Sequence, residues 1–222
     1  MNWNPEQHYQ SHTVAADYDK VRFSSLAGRV FNHLEKRTIA KCFASIPNGA
    51  QLVDIPCGTG RLAEALLMHG YQVRGMDISD EMLAVARQRL SRFGGRFTTE
   101  VADAKHPPNG HAVYEGALCA RVLMHFPLGQ QIAFLAGVVQ LSRSLVVINQ
   151  SLNSPYQRFR RRVKHWLGHR ESAAYPVTNP EIKRLLADAG LREVRRYRQL
   201  RLVSEAVYIV AERVTAASAQ SR

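Results

Sequence analysis

The chain has 222 residues and a formal net charge of +12, and its three cysteines, Cys42, Cys57 and Cys119, are widely spaced. The length suits one domain with one sizeable core, and the cysteine spacing excludes a disulfide framework and a zinc-ligand pattern, so no metal site is expected. The charge suits nucleic acid, an acidic membrane surface or a phosphorylated substrate, or serves solubility alone. Because the N-terminus lacks an apolar signal core and no apolar run approaches roughly 20 residues, we expect a cytoplasmic protein.

Helical and strand patterns alternate through the first two thirds of the chain. Residues 1–25 are polar and irregular. Predicted helices cover about 26–45, 60–69, 79–93 and 127–141, and predicted strands cover 51–55, 71–76, 96–101, 114–120 and 145–148. Strands that alternate with helices favour an α/β fold with a doubly wound parallel sheet.

The last third predicts a helix followed by two strands. Asn179-Pro-Glu is typical of a helix start, and this helix should end at Gly190. The runs 192–200 and 204–212 are too close for a helical crossover, so they predict an antiparallel hairpin. We expect a domain over 26–213, preceded by the segment 1–25 and followed by a flexible tail over 214–222.

The most informative stretch runs from Gln51 to Ala63, where an apolar strand meets a glycine turn and a helix begins. Gly58-Thr-Gly60-Arg-Leu-Ala63 satisfies the loose dinucleotide pattern G-x-G-x-x-G/A. Glycines let the backbone approach a ligand closely, and the N–H groups of a helix start face the same space. The turn therefore predicts a nucleoside-cofactor site.

Three aspartates, Asp54, Asp77 and Asp103, follow the ends of three predicted strands. The carboxyl ends of neighbouring parallel strands converge on the crevice where open α/β sheets bind ligands. Asp77 ends the second strand, and an acid in that position can accept hydrogen bonds from ribose hydroxyls. We therefore expect all three at one site.

These segments resemble class I S-adenosylmethionine-dependent methyltransferases, in particular small single-domain members that act on small molecules. The resemblance rests on Val53-Asp-Ile-Pro-Cys-Gly-Thr-Gly60, Gly75-Met-Asp-Ile-Ser79, Val101-Ala-Asp-Ala104 and Tyr114–Phe126, and it covers about residues 50–150. It implies a Rossmann-like, seven-stranded, mostly parallel sheet that includes the antiparallel hairpin. It also implies methyl transfer from S-adenosyl-L-methionine, with S-adenosyl-L-homocysteine as product.

The resemblance assigns roles around the cofactor. Asp54 and the backbone of Gly58 and Gly60 would hold the methionine part, Asp77 the ribose hydroxyls, and Asp103 with the Ala104 N–H the adenine edge. The other residues that it implies at the cofactor are Pro56, Cys57, Ile78 and Met82, with Tyr18 and Arg22 in an N-terminal segment that folds over it. Pro56 replaces the first glycine of the usual D-x-G-x-G-x-G and lacks an N–H donor. We interpret it as a subfamily trait.

Arg121 and His125 follow the fourth strand, where the family places residues near the transferring methyl. His125 suits a base or an acceptor-orienting group, because imidazole changes charge close to physiological pH; the alternative is a structural histidine at a helix start. Arg121 suits an acidic acceptor or, equally, an internal ion pair with a carboxylate.

A basic segment over about 151–178 interrupts the alternation. Its cations are Arg158, Arg160, Arg161, Arg162 and Lys164, and its apolar helical face comprises Tyr156, Phe159, Val163, Trp166 and Leu167. It suits a lid over an anionic acceptor, an interfacial helix on an anionic inner-membrane surface through 156–170, or an ordinary helix packed on the sheet. A lipid-linked, isoprenoid or glycan-phosphate acceptor would use both faces of this segment.

Three other functions stay open: an NAD(P)-dependent oxidoreductase, a non-catalytic S-adenosylmethionine-binding accessory protein, and a nucleic-acid methyltransferase. The last is not expected, because Ala117-Leu-Cys-Ala-Arg121 lacks the Asn/Asp-Pro-Pro-aromatic signature of many such enzymes. The residues leave open the acceptor, the atom methylated and the oligomeric state.

Overall fold

A computed structural model describes residues 25–107, 113–166, 168, 175–199 and 204–214. Its strands are β1 (Gln51–Asp54), β2 (Gln72–Asp77), β3 (Phe97–Val101), β4 (Tyr114–Cys119), β5 (Ser142–Ser151), β6 (Leu191–Arg198) and β7 (Ala206–Arg213). They form one seven-stranded sheet in the order β3-β2-β1-β4-β5-β7-β6. The pairs among β1 to β5 are parallel, and β7 is antiparallel to both β5 and β6. The predicted Rossmann-like sheet with a C-terminal antiparallel hairpin is confirmed.

Helices connect the strands, and most of them pack on the two faces of this sheet. They are α1 (Leu26–Cys42), α2 (Ala63–Met68), α3 (Asp80–Leu90), α4 (Leu128–Leu141), α5 (Pro155–Trp166) and α6 (Asn179–Asp188). One buried cluster joins α1, α2 and α3 to the sheet, and the other joins α4 and α6 to its opposite face. Successive residues of β1 belong to opposite clusters: Leu52 packs in the first and Val53 in the second. This explains why two successive residues of β1 are apolar rather than alternating with polar ones.

Several element boundaries differ from the predicted ones. Strand β5 runs well past the predicted 145–148, because β7 pairs with it as far as Ser151. Helix α2 begins at Ala63 rather than at residue 60, where Gly60 has a φ of 74° and cannot continue a helix. Helix α6 is capped by Thr178, one residue before the predicted start, in a reciprocal capping box with Glu181.

The parallel strands bring their carboxyl ends to one edge of the sheet. Asp54, the last residue of β1, is in register with Gly75 of β2 and Leu118 of β4. Asp77, the last residue of β2, is in register with Val101 at the end of β3. The loops that follow β1, β2, β3 and β4 therefore meet at this edge. Within the described ranges, no helix combines the length and the apolar character that a membrane span requires.

Candidate functional site

A cavity of about 360 Å³ lies at the carboxyl edge, between the loops that follow β1, β2, β3 and β4. This volume falls within the range of small-molecule sites. The predicted residues in its lining are Asp54, Pro56, Cys57, Gly58, Asp77, Ile78, Met82, Asp103, Ala104, Arg121 and His125. Tyr18 and Arg22 lie outside the described residues, and so does Leu167 of the basic segment.

The glycine turn combines ligand access with tight packing. Gly58 lines the cavity and has a φ of 53°, in the left-handed region that favours glycine. Gly60 is not among the lining residues. A Cβ on Gly60 would come within 2.7 Å of Leu90 Cδ1 and 3.1 Å of Ala86 Cβ, both on α3. The structure thus places Gly60 beneath α3, where it lets this helix approach the turn.

Asp77 connects the glycine turn to the start of α3. Its Oδ2 accepts a hydrogen bond from the Gly58 N–H at 2.8 Å, and its Oδ1 accepts one from the Ser79 N–H at 3.1 Å. The Ser79 hydroxyl oxygen in turn caps α3 by accepting from the Met82 N–H. Burial raises the pKa of Asp77, and the N–H groups that face it oppose this effect. The carboxyl is therefore held in one orientation at the cavity wall.

Asp54 is a buried carboxyl with unused hydrogen-bonding capacity. Among the residues that the structure describes, its Oδ2 has no hydrogen-bond partner. Burial raises the pKa of Asp54 well above its usual range, the nearby Asp77 adds to this effect, and Arg61 opposes it. Cys57, whose thiol faces Asp54, also has a raised pKa, first because of burial and then because of the neighbouring carboxylates.

The aspartates and the open Gly58 position suit a ligand with a cationic amino-acid end and a nucleoside end. A buried carboxyl oxygen without a partner is costly, and an ammonium group supplies both a charge and a donor. Asp77 offers carboxylate oxygens of the kind that accept from ribose hydroxyls. The residues present therefore fit S-adenosylmethionine, which combines these two ends.

The turn after β3 is fixed by its own hydrogen bonds and by α4. Asp103 Oδ1 accepts from the Lys105 N–H at 2.9 Å, and the Asp103 carbonyl accepts from the His106 N–H at 3.0 Å. A Cβ on Gly137, in the middle of α4, would lie only 1.9 Å from the Ala104 carbonyl oxygen. Sequence reasoning missed Gly137, although a glycine inside an apolar helix is itself a signal of close packing.

Arg121 forms the internal ion pair that was one of its two sequence interpretations. Its Nε and Nη2 donate to the two carboxylate oxygens of Glu35 at 2.9 and 2.7 Å. Arg121 has a φ of 64°, which is uncommon outside glycine, and these two bonds hold its side chain at the cavity wall. Arg121 therefore brings a fixed positive charge to the cavity.

Glu35 is the centre of this cluster and is fully buried. It also pairs with Arg61 at 2.8 Å and accepts a hydrogen bond from the Tyr208 hydroxyl. Burial alone would raise the pKa of Glu35, but Arg121 and Arg61 outweigh this effect and lower it. Sequence reasoning missed Glu35, Arg61 and Tyr208. Glu35 was the available signal, as an acid within the apolar pattern of α1.

His125 ends a short 3-10 turn, Leu123–His125, and lines the cavity next to Phe126. Contacts from three neighbouring parts of the chain hold this turn. The Phe126 carbonyl accepts from the Gln131 side chain at 2.8 Å, and Gln131 accepts from the Gln150 side chain at 2.8 Å. The Met124 carbonyl accepts from the backbone N–H of residue 175 at 2.9 Å. His125 is thus presented on a turn anchored from α4, β5 and the end of the basic segment.

Comparisons with known proteins agree with this geometry. A family model described as a methyltransferase domain matches residues 52–144. Over 187 residues, the chain is 29% identical to the ubiquinone/menaquinone biosynthesis C-methyltransferase UbiE of Ralstonia pickettii, covering 80% of this chain and 74% of that protein. It is 31% identical over 80 residues to a ubiquinone biosynthesis O-methyltransferase of Azoarcus sp., covering 36% of this chain and 34% of that protein.

A solved structure with the same fold extends the likeness to almost the full length of both chains. Magnesium protoporphyrin IX methyltransferase from Synechocystis PCC 6803, crystallised with bound S-adenosylhomocysteine, aligns with a TM-score of 0.73 and 18% identity. The alignment covers 94% of this chain and 98% of that one. At this identity the likeness concerns the fold.

Proposed function

We propose that this chain, which belongs to the class I S-adenosylmethionine-dependent methyltransferases, transfers a methyl group to an anionic or amphipathic small molecule, free or attached to a lipid or glycan carrier. The observation that carries the proposal is the cavity at the carboxyl edge, where Asp54, Asp77 and Asp103 come together with Arg121 and His125. Two relatives are named as ubiquinone-biosynthesis methyltransferases, one acting on carbon and one on oxygen, which supports a small-molecule acceptor.

On the donor side, S-adenosylmethionine supplies an electrophilic methyl group when it is bound. Asp54 would pair with the ammonium group of its amino-acid end, and Asp77 would accept hydrogen bonds from its ribose hydroxyls. Asp103 and the Ala104 N–H would contact the adenine edge. The support for these roles is that all of these groups line one cavity and that Asp54 Oδ2 has no hydrogen-bond partner within the described part of the chain.

On the acceptor side, the proposal assigns orientation to Arg121 and His125. Arg121 would attract an anionic group on the acceptor, because Glu35 holds its guanidinium in place at the cavity wall. His125 would orient the nucleophilic atom or take its proton. Phe126 and Phe134, whose ring centroids are 5.8 Å apart, give the same wall an apolar surface for an amphipathic acceptor. Positioning alone supplies much of the rate in such a displacement.

The proposal replaces the oxidoreductase alternative, because the relatives that match this chain are named as methyltransferases. Calorimetric titration with S-adenosylhomocysteine and with NADH tests this directly. We expect tight binding of the first and none of the second. Tight NADH binding alone would contradict the donor assignment.

The acceptor is tested by transfer of a labelled methyl group to extract fractions that hold lipids, glycans, metabolites or RNA. We expect label in the lipid or metabolite fraction, and none there with Asp77→Ala, which should bind the donor poorly. Label confined to RNA would refute the proposed acceptor class. If the wild type binds S-adenosylhomocysteine but labels no fraction, the accessory-protein alternative is favoured instead.

A further inference from the structure

Helix α5 turns its apolar side chains towards solvent. Phe159, Val163 and Trp166 are 66%, 39% and 85% exposed, and Tyr156 is 47% exposed. Their spacing of three and four residues places them in one stripe along the helix. A helix that only covers the sheet would bury such a stripe against the core. The interpretation of this segment as an ordinary helix packed on the sheet is therefore wrong for α5.

The opposite side of α5 is polar and faces the protein. Gln157 is buried, and its side-chain nitrogen donates to the Ser204 carbonyl at 3.2 Å. Arg160 lies 3.6 Å from a carboxylate oxygen of Glu205, and Glu205 also accepts a hydrogen bond from the Ser151 hydroxyl. The contacts with Ser204 and Glu205, just before β7, fix the rotation of α5 about its axis, so its apolar stripe is held outward.

The charges on α5 are all of one sign. Its sequence, PYQRFRRRVKHW, contains five arginines and lysines and no acidic residue. Arg158 and Arg162 are exposed, whereas Arg160 is paired with Glu205. Aromatic and apolar side chains on one face, with arginine and lysine beside them, are typical of helices that lie in the interface of an anionic bilayer. The net charge of +12 over the chain attracts the same surface.

The area of the stripe favours a lipid surface over a protein partner. A helix of 12 residues is about 18 Å long and about 10 Å wide, so one face presents roughly 200 Å². A stable protein interface buries about 800 Å² on each partner. A bilayer needs no matching surface, since each exposed aromatic side chain gains free energy by entering the interface on its own.

Helix α5 also lies at the same edge of the sheet as the cavity. It follows the carboxyl end of β5, which runs parallel to β4. After α5, the N–H of residue 175 donates to the Met124 carbonyl in the turn that presents His125. A surface that holds α5 therefore meets the protein at the edge of the sheet where the cavity lies.

We propose that α5 is a membrane-docking helix that lies in the plane of an anionic lipid bilayer, with Phe159, Val163 and Trp166 inserted and Arg158 and Arg162 at the headgroups. Its purpose rests on the proposed function, because docking brings the cavity to an amphipathic acceptor dissolved in the membrane. The docking itself requires neither the methyl donor nor the acceptor.

The chain offers a direct spectroscopic test, because it has only two tryptophans, Trp3 and Trp166. In a Trp3→Phe variant, Trp166 is the sole reporter. On addition of vesicles that contain phosphatidylglycerol, its emission should shift to shorter wavelength and be quenched by bromine-labelled acyl chains. Vesicles of phosphatidylcholine alone should give a much smaller shift, and added salt should reverse the binding. Unchanged emission with the anionic vesicles would overturn the proposal.

Cosedimentation with the same vesicles tests the residues. Arg158→Ala with Arg162→Ala should weaken binding roughly fivefold for each arginine removed. The matched control is Arg184→Ala with Arg192→Ala, which removes the same charge from exposed positions outside α5. Phe159→Ser with Trp166→Ser should abolish cosedimentation with the vesicles. Met68→Ser, at another exposed apolar position, should leave it unchanged. If the α5 pair and the control pair of arginine variants lost vesicle binding equally, overall charge alone would explain the binding, and this would overturn the proposal.

Two further measurements distinguish membrane docking from a folding defect and from self-association. Affinity for S-adenosylhomocysteine without vesicles reports on the donor site and the fold, so it should be the same in all of these variants. Failure of that binding in the wild type would count against the proposed function, not against docking. Sedimentation should show no self-association that depends on Phe159 and Trp166; a dimer lost in that variant would assign the stripe to a second copy of the chain instead.

Discussion

Asp54 and Asp77 lie close enough in the cavity wall for the charge of Asp77 to raise the pKa of Asp54 further, after burial has already raised it. A cationic ligand group reverses this balance, because it favours the ionised carboxyl. Binding of S-adenosylhomocysteine through its ammonium group should therefore release a proton from Asp54. The affinity should rise as pH increases towards the raised pKa of Asp54 and level off above it.

Calorimetry in buffers of different ionisation enthalpy measures this proton release. The matched control ligand is 5′-methylthioadenosine, which keeps the nucleoside and lacks the amino-acid end, so it should bind without releasing a proton. Asp54→Asn should remove the pH dependence and weaken the affinity for S-adenosylhomocysteine. Proton release that persists in Asp54→Asn would show that another group is responsible.

The same raised pKa predicts the stability of the free protein. An acid whose pKa is higher in the folded than in the unfolded state contributes most at low pH, and that contribution is lost as pH rises above about 4 towards the folded value. Asp54→Asn should therefore stabilise the unliganded protein at pH 7 while it weakens ligand binding. Thermal unfolding at pH 7 with and without S-adenosylhomocysteine measures both effects. A variant less stable than wild type without ligand would contradict this view of Asp54.

Asp77 is expected to contribute to ligand affinity through hydrogen bonds. Asp77→Ala loses the acceptor for the Gly58 N–H and the proposed contact with ribose. Hydrogen bonds to charged groups contribute about 1.5–3 kcal/mol, so affinity for S-adenosylhomocysteine should fall about tenfold to a hundredfold. Asp80→Ala, at an exposed aspartate three residues on, is the control and should leave this affinity unchanged. Retained affinity in Asp77→Ala would place the ribose elsewhere.

At the scale of elements, α4 and the turn after β3 meet at Gly137. Alanine is about 1 kcal/mol better than glycine inside a helix, so helix propensity alone predicts that Gly137→Ala is stabilising. The added Cβ would, however, lie 1.9 Å from the Ala104 carbonyl oxygen, so α4 or the Asp103–Ala104 turn must move. We expect a net destabilisation of about 1–2 kcal/mol and weaker binding of S-adenosylhomocysteine and adenosine.

Gly129→Ala is the matched control, because Gly129 lies in the same helix and a Cβ there meets no atom of the described residues within 4 Å. It should be neutral or stabilising and should not change adenosine affinity. Urea unfolding and fluorescence titration measure the two effects for both variants. If Gly137→Ala behaved like Gly129→Ala, the contact with the turn would have no role in ligand binding.

Across the whole molecule, sequence reasoning succeeded where function follows from local pattern. Apolar runs, turn residues and strand-end aspartates lie within short segments, so the sheet and the positions of Asp54, Asp77 and Asp103 could be predicted together. The cluster of Glu35, Arg61, Arg121 and Tyr208 could not be predicted from the sequence. Its members come from α1, the glycine turn, the loop after β4 and strand β7, and only the folded chain brings them together. For α5 the pattern predicted an apolar face, but its outward direction depends on contacts of Gln157 and Arg160 with distant residues.

The Glu35 cluster therefore ties distant parts of the chain together, and Glu35→Gln tests its contribution. The variant leaves buried Arg61 and partly buried Arg121 with one carboxylate fewer, and breaking a buried ion pair from one side costs about 3–5 kcal/mol. Since the pKa of Glu35 is lowered by folding, its contribution is complete above about pH 5 and is lost as pH falls through the folded value. The gap in free energy of unfolding between wild type and Glu35→Gln, measured by urea titration, should thus be largest at neutral pH and shrink in acid.

Tyr208→Phe, which removes one hydroxyl donor and keeps the ion pairs, should lower the free energy of unfolding by less, about 1.5–3 kcal/mol. A gap that stayed constant down to strongly acidic pH would mean that Glu35 stabilises by packing rather than by its charge.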